Sequence, residues 1–234
     1  MTAQESEEDM SKTVKLYVVR HGETYLNRYH KLQGWADSPL TEEGKAVAIR
    51  TGERLSHIAF DRVYTSDLGR TIETAELILK QNKHRDPLEL CRLPQFREVF
   101  FGSFEGDHVD RIVKEVAAQH GYQYETSREV FEHHSMSEVL AFMKQADPAA
   151  DAEDADELQA RINQGIEQLL SDVNDQAAAV LLVTHGVVIR QLLDRYTDHP
   201  EHQGEVKNAS VSVLEFAGDV ANVLVFNSLS GPLD

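Results

Sequence analysis

Only one cysteine, Cys91, stands in 234 residues, so no disulfide can form within the chain. That excludes a disulfide-stapled secreted scaffold and suits a reducing compartment. No apolar run approaches the roughly 20 residues that cross a bilayer. The N-terminus lacks a basic, apolar leader; Glu5, Glu7, Glu8 and Asp9 are the opposite of one. A cytoplasmic location is therefore expected, and the sequon Asn208-Ala209-Ser210 carries no meaning there. Positive charge is scarce as well: 23 Lys and Arg face 40 Asp and Glu, for a net charge of −17. Nucleic acid and anionic membranes are poor partners for such a field. An anionic substrate would have to be held by a few local cations, for which arginine is best suited.

What is present reads as one ordinary α/β domain. Residues 1–12 form a flexible acidic tail, and 13–234 form a single domain of 41% apolar and 27% charged chain overall. Lys15 to Arg20, Arg62 to Thr65, Leu88 to Leu93 and Ala178 to Thr184 read as strands. The run Ala-Val-Leu-Leu-Val in the last of these predicts a strand covered on both faces. Thr41 is the predicted N-cap of a helix whose core face is Ala48, Gly52, Leu55 and Ala59. Ser66 or Asp67 caps the next, with Leu68, Ile72, Ala75 and Leu79 at helical spacing. A loop runs from Pro94 to Gly106. Two helices follow, near Val109–His120 and Ser137–Gln145, then a solvated acidic loop over Asp147–Glu157. Leu158, Ile162, Ile166 and Leu169 mark a further helix, and Val188, Leu192 and Tyr196 another. Ser210–Phe216 and Ala221–Asn227 pair as a hairpin across Gly218-Asp219. The alternation predicts a three-layer αβα sandwich: a mostly parallel central sheet, an antiparallel C-terminal edge and a helical insertion near 107–150. The edge could let two copies pair as a homodimer.

Two strands share one design. One ends in Arg20-His21-Gly22, the other in Thr184-His185-Gly186. Ligands of open α/β sheets bind at the carboxyl ends of strands. Two histidines thus face one crevice, each followed by a glycine that lets backbone come close. Ser66-Asp67-Leu68-Gly69-Arg70-Thr71 opens a helix, whose free N–H groups attract anions. Arg70 and Arg20 each add a planar guanidinium. The four residues describe a dianion pocket inside an acidic protein.

Arg20-His21-Gly22-Glu23-Thr24 resembles the signature of the histidine phosphatase superfamily, in the branch that includes cofactor-dependent phosphoglycerate mutase. Gln33 to Gly44, Ser66 to Ala75, Arg97 to Gly106 and Val183 to Gly186 resemble its later blocks, in family order. The resemblance implies His21 as nucleophile, with Arg20, Arg70 and His185 on the phosphoryl group, and Asn27 as a phosphate contact. Thr24 and Gln33 are further candidate contacts. Glu98 aligns with the family's acid and is the candidate proton donor, with Glu105, close by in sequence, as the alternative. No metal and no cofactor is implied. The pair His133-His134 lacks companion ligands at metal spacing.

Such a set predicts a phosphomonoester hydrolase acting through a covalent phosphohistidine on a small phosphorylated metabolite. A phosphoglycerate mutase is the alternative. Mutases of the family carry an Asn-Ser pair after the second His-Gly, where this chain has Val187-Val188. A binding protein on an inactive version of the fold is a third reading, opposed by the full set of pocket residues.

Overall fold

The computed structural model describes residues 13–84, 88–173, 178–196, 205–218 and 220–233. The acidic tail and Asp219 of the hairpin turn lie outside them. Six strands form one sheet: β1 (Thr13–Arg20), β2 (Arg62–Thr65), β3 (Leu90–Arg92), β4 (Ala178–Thr184), β5 (Val211–Ala217) and β6 (Val220–Ser228). Their order is β3-β2-β4-β1-β5-β6. The first four are parallel, and β5 joins β1 and β6 antiparallel, as the sequence predicts.

Eight α-helices surround the sheet among the described residues: α1 (Tyr25–Arg28), α2 (Glu42–Leu55), α3 (Gly69–Leu79), α4 (Val109–Gln119), α5 (Ser127–His133), α6 (Met136–Ala146), α7 (Ala155–Asp172) and α8 (Gly186–Asp194). Alternation along the strands feeds two cores. Tyr17, Val19, Leu181 and Val183 face Leu55 of α2 and Ala75 and Ile78 of α3. Leu16, Val18, Val180 and Leu182 face the other core, which takes in buried residues of α4 to α8. The result is the three-layer sandwich. No helix among the described residues is long and apolar enough to cross a membrane.

Several local expectations change. Helix α2 stops at Leu55, where Ser56 and Ile58 donate to Glu53 and Leu55 and tighten the last turn. Ala59 is therefore exposed, and Phe60 takes the buried place. The third strand is only Leu90–Arg92. The Pro94–Gly106 loop contains two 3-10 turns, Pro94–Phe96 and Gly102–Phe104. The insertion holds three helices rather than two; α5 has one buried side chain, Val130, too few to write a period. Tyr196 falls just beyond α8.

The acidic loop is not solvated throughout. Asp147 is buried, and its carboxylate accepts from the N–H groups of Ala149, Asp151 and Ala152 and from the Ser103 hydroxyl. Burial opposes its charge, yet those bonds hold its pKa down to about 2. Asp154 caps α7 in a box with Glu157.

Candidate active site

Strand register builds the site. In the parallel pair β1–β4, Arg20 lies opposite Thr184. The next residues, His21 and His185, therefore leave the sheet side by side. The His21 N–H donates to the Thr184 carbonyl at 2.9 Å. The two rings sit edge to face with centroids 5.2 Å apart. Strand β2 ends one register step away, with Thr65 opposite Val183, so Ser66 emerges beside His185.

Each histidine is fixed in one tautomer. His21 Nδ1 lies 2.8 Å from the carbonyl of Gly22, which can only accept. The proton therefore sits on Nδ1 and the lone pair on Nε2. The ring is 3% exposed. Burial holds its pKa well below the ordinary histidine value, and Arg70 and Arg20 push the same way. Arg70 donates to His185 Nδ1 at 3.0 Å, so His185 carries its proton on Nε2 and directs it to Ser66 Oγ at 2.9 Å. Burial, followed by Arg70, keeps this ring neutral too.

The turn that presents His21 depends on a backbone contact. A Cβ on Gly22 would meet the Gly44 carbonyl oxygen at 2.6 Å, and one on Gly44 would meet the Glu23 oxygen at 2.2 Å. The start of α2 thus sits directly on the Arg-His-Gly turn. Thr41 caps that helix and also bonds the Glu23 carboxylate.

Three buried donors around the histidines have no acceptor: Arg20 Nε, Arg70 Nε and Gln33 Nε2. Arg70 is 1% exposed and gripped by the carbonyls of Gly34 (2.7 Å) and Ala36 (2.9 Å), with Asp37 at 3.1 Å. Arg20 donates to the carbonyl of Val206 and lies 3.5 Å from Glu205. Unsatisfied buried donors are costly, and a tetrahedral oxyanion offers the acceptors they lack. Thr24 is fully buried, caps α1 and donates to Gln33 Oε1 at 2.6 Å. It therefore orients the Gln33 amide. Asn27 Oδ1 accepts from the Thr24 N–H, and Asn208 Nδ2 approaches it at 3.4 Å.

The two carboxylates part company. Glu98 is buried at the start of α8 and accepts from the N–H groups of Val99 (3.1 Å), Val187 (3.1 Å) and Val188 (3.3 Å). Burial raises its pKa against the pull of those bonds and of Arg70 and Arg20. Glu105 instead ties four backbone N–H groups, those of Gly34, Trp35, Ala36 and Phe101. Both Glu105 oxygens are thus committed to holding the Gln33–Asp37 loop against Phe101. Arg161 of α7 clamps the Glu98 segment, donating to the carbonyls of Gln95 (2.9 Å), Arg97 (2.6 Å) and Glu98 (2.8 Å).

A cleft of about 1470 Å³ opens from this point, lined at its base by Arg20, Asn27, Gln33 and Glu98. Its roof runs from Val109 through Met136, so the insertion covers the site. His133 and His134 both line it. A smaller hollow of about 380 Å³ lies against the other side of Arg70, by Asp37 and Gly69. Arg20 and Glu98 line the larger one, and Arg70 lines the smaller. No group of three His, Cys, Asp or Glu side chains among the described residues is arranged to hold a metal.

Comparison with known proteins decides the family. The model of the histidine phosphatase superfamily (branch 1) matches residues 16–229. The chain belongs to the histidine phosphatase superfamily. A crystal structure of phosphoglycerate mutase from Bacillus anthracis str. Sterne superposes with TM-score 0.87 at 36% identity, over 95% of this chain and 96% of that one. A broad-specificity phosphatase of Saccharomyces cerevisiae is 28% identical over 93% of this chain and 86% of its own. A probable phosphoglycerate mutase of Citrobacter koseri is also 28% identical, over 90% and 95%.

Within this histidine phosphatase, the structure brings together His21, His185, Arg20, Arg70, Gln33 and Glu98, and sets Thr24 and Glu105 behind them. Sequence reasoning missed Arg161, and gave Ser66 the wrong task. Leu68 is the N-cap of α3, because Ser66 Oγ is drawn to His185 and Thr71. Asp67 pairs with Arg97. Thr74, inside the same block, accepts from the Gly22 N–H at 3.0 Å. Asn208 donates to the His21 carbonyl at 3.0 Å. A sequon was its only mark in the sequence.

Proposed function

We propose that the protein is a phosphatase for a small phosphorylated metabolite and works through a phosphohistidine. The observation that carries this reading is His21: a neutral ring, its Nδ1 proton held by Gly22 and its Nε2 free, beside two arginines whose Nε atoms are buried without a partner. Nε2 attacks phosphorus and the ester P–O bond breaks. Arg20, Arg70, Gln33 and Asn27 hold the phosphoryl oxygens, and His185, bonded to Arg70 and Ser66, steadies the Arg70 guanidinium beside His21. Glu98, whose pKa burial raises, is the carboxyl group that gives a proton to the leaving oxygen. Its carboxylate then takes a proton from the water that attacks phosphohistidine, and phosphate departs. Thr24 acts through Gln33. The lone thiol, Cys91, fits a cytoplasmic setting, and the β6 edge, with Val220 and Leu224 exposed, offers a second copy a place to pair.

The names of the relatives divide between mutase and phosphatase, so the acceptor needs its own argument. The first N–H groups after His185-Gly186 belong to Val187 and Val188 and hold the Glu98 carboxylate. Neither valine side chain can hydrogen-bond a second anionic substrate. Water as acceptor follows. The test is hydrolysis of p-nitrophenyl phosphate in the presence of a chelator. The account expects turnover that His21→Ala abolishes. Negligible hydrolysis, with mutase activity given a bisphosphoglycerate primer, would establish the alternative.

A further inference from the structure

Beyond the phosphoryl pocket, the cleft changes character. Among its polar and charged lining stand five apolar residues, Leu32, Phe101, Val109, Phe131 and Met136. Phe131 leaves 41% of its surface uncovered, and of the exposed large apolar side chains among the described residues it is the one that lines this cleft. The charges there do not favour an anion. Of the three cations outside the phosphoryl pocket, Arg128 is paired with Glu132 at 2.8 Å. Arg190 lies against Asp194 and over the Phe226 ring. Over the whole lining four Lys and Arg face six Asp and Glu; Glu205 stands 3.5 Å from Arg20, and Lys31 shares the cleft with Asp110. The volume, about 1470 Å³, far exceeds what a three-carbon chain fills.

From these observations we infer that the enzyme selects phosphomonoesters whose leaving group is uncharged, largely apolar and bigger than a triose, with Phe131 and Asp110 as specificity-determining residues. This rests on the phosphatase reading of the same site. A second carboxylate or phosphate on the substrate would enter a lining that is already negative in balance. An apolar ring would instead cover Phe131 and Met136 while the phosphoryl group reaches Arg20.

A matched pair of esters tests it: 2-naphthyl phosphate and its 6-carboxylated analogue, which share a leaving oxygen and differ in one remote charge. The account expects kcat/KM to favour the uncharged ester by about tenfold or more, the scale of one unscreened like-charge contact. Added salt should narrow the gap. Asp110→Asn should narrow it too, and Phe131→Ala should lower kcat/KM for the naphthyl ester relative to ethyl phosphate. Equal rates, a preference for the carboxylated ester, or a gap untouched by both variants would overturn the inference while leaving the phosphatase reading intact. Failure to turn over any ester would instead remove the phosphatase reading, and this inference with it.

Discussion

Replacing Glu105 by alanine separates the two carboxylates, Glu98 and Glu105, between which the sequence leaves the acid open. Oε1 of Glu105 accepts from Trp35 (2.9 Å) and Phe101 (3.1 Å), and Oε2 from Gly34 and Ala36 (3.0 Å each). Bonds to a charged acceptor contribute roughly 1.5–3 kcal/mol each where water is excluded. The Trp35 residue is 37% exposed, so its N–H can turn to solvent, whereas Gly34 and Phe101 are buried. Discounting for that exposure leaves a loss on the order of 4 kcal/mol. For a chain of this length that lowers Tm by roughly 10 °C. The assay is urea unfolding of the variant beside its kcat measured well below the transition. The fold should weaken by that amount, while turnover of the folded enzyme changes less than about tenfold, since no proton donor has gone. A variant of unchanged stability that loses turnover selectively on poor leaving groups would refute the assignment and make Glu105 the acid.

Three further outcomes follow from the site. Glu98→Gln should lose roughly 10²–10⁴ in turnover of alkyl phosphates, the usual worth of a placed general acid. With p-nitrophenyl phosphate it should release a burst of nitrophenol, because that group leaves without a proton; a slow linear trace with no burst would contradict this. Ser66→Ala removes the acceptor of the His185 Nε2 proton, and should cost about tenfold in kcat, the equivalent of one hydrogen bond, with KM little moved; a pure KM effect would contradict it. Stability should also respond to pH through His21. Its folded pKa is depressed, so the unfolded chain binds the proton more readily, and stability is lost as pH falls below roughly 6.5 towards the folded value. His21→Asn should therefore lose less stability than the parent between about pH 7 and 5.5 in denaturant titrations. Equal losses would show the ring is not held neutral.

The parts legible in the sequence are those governed by strand ends. A buried apolar run followed by His-Gly announces both the strand and what it presents. Because Arg20 and Thr184 share a register, the two histidines had to meet. What stayed hidden depends on contacts between distant segments. Arg161 lies within a helix and its partners are backbone carbonyls, which leave no trace in composition. Ser66 reads as a cap because serine beside a helix start usually is one; only the nearness of β2 to β4 redirects it to His185. Glu98 and Glu105 are alike as letters and differ by which N–H groups surround them. Helix α5 escaped because a seven-residue helix that buries one side chain on a roof has no hydrophobic period to read.

The central claim is that phosphate passes through His21. Rapid acid-free quenching of the enzyme with a ³²P-labelled ester, followed by peptide mapping, measures it most directly. The account predicts an acid-labile, alkali-stable phosphoryl group on the peptide that contains His21, absent from His21→Ala and prolonged in Glu98→Gln. Label on any other residue, or full turnover by an enzyme that never carries label, would contradict it.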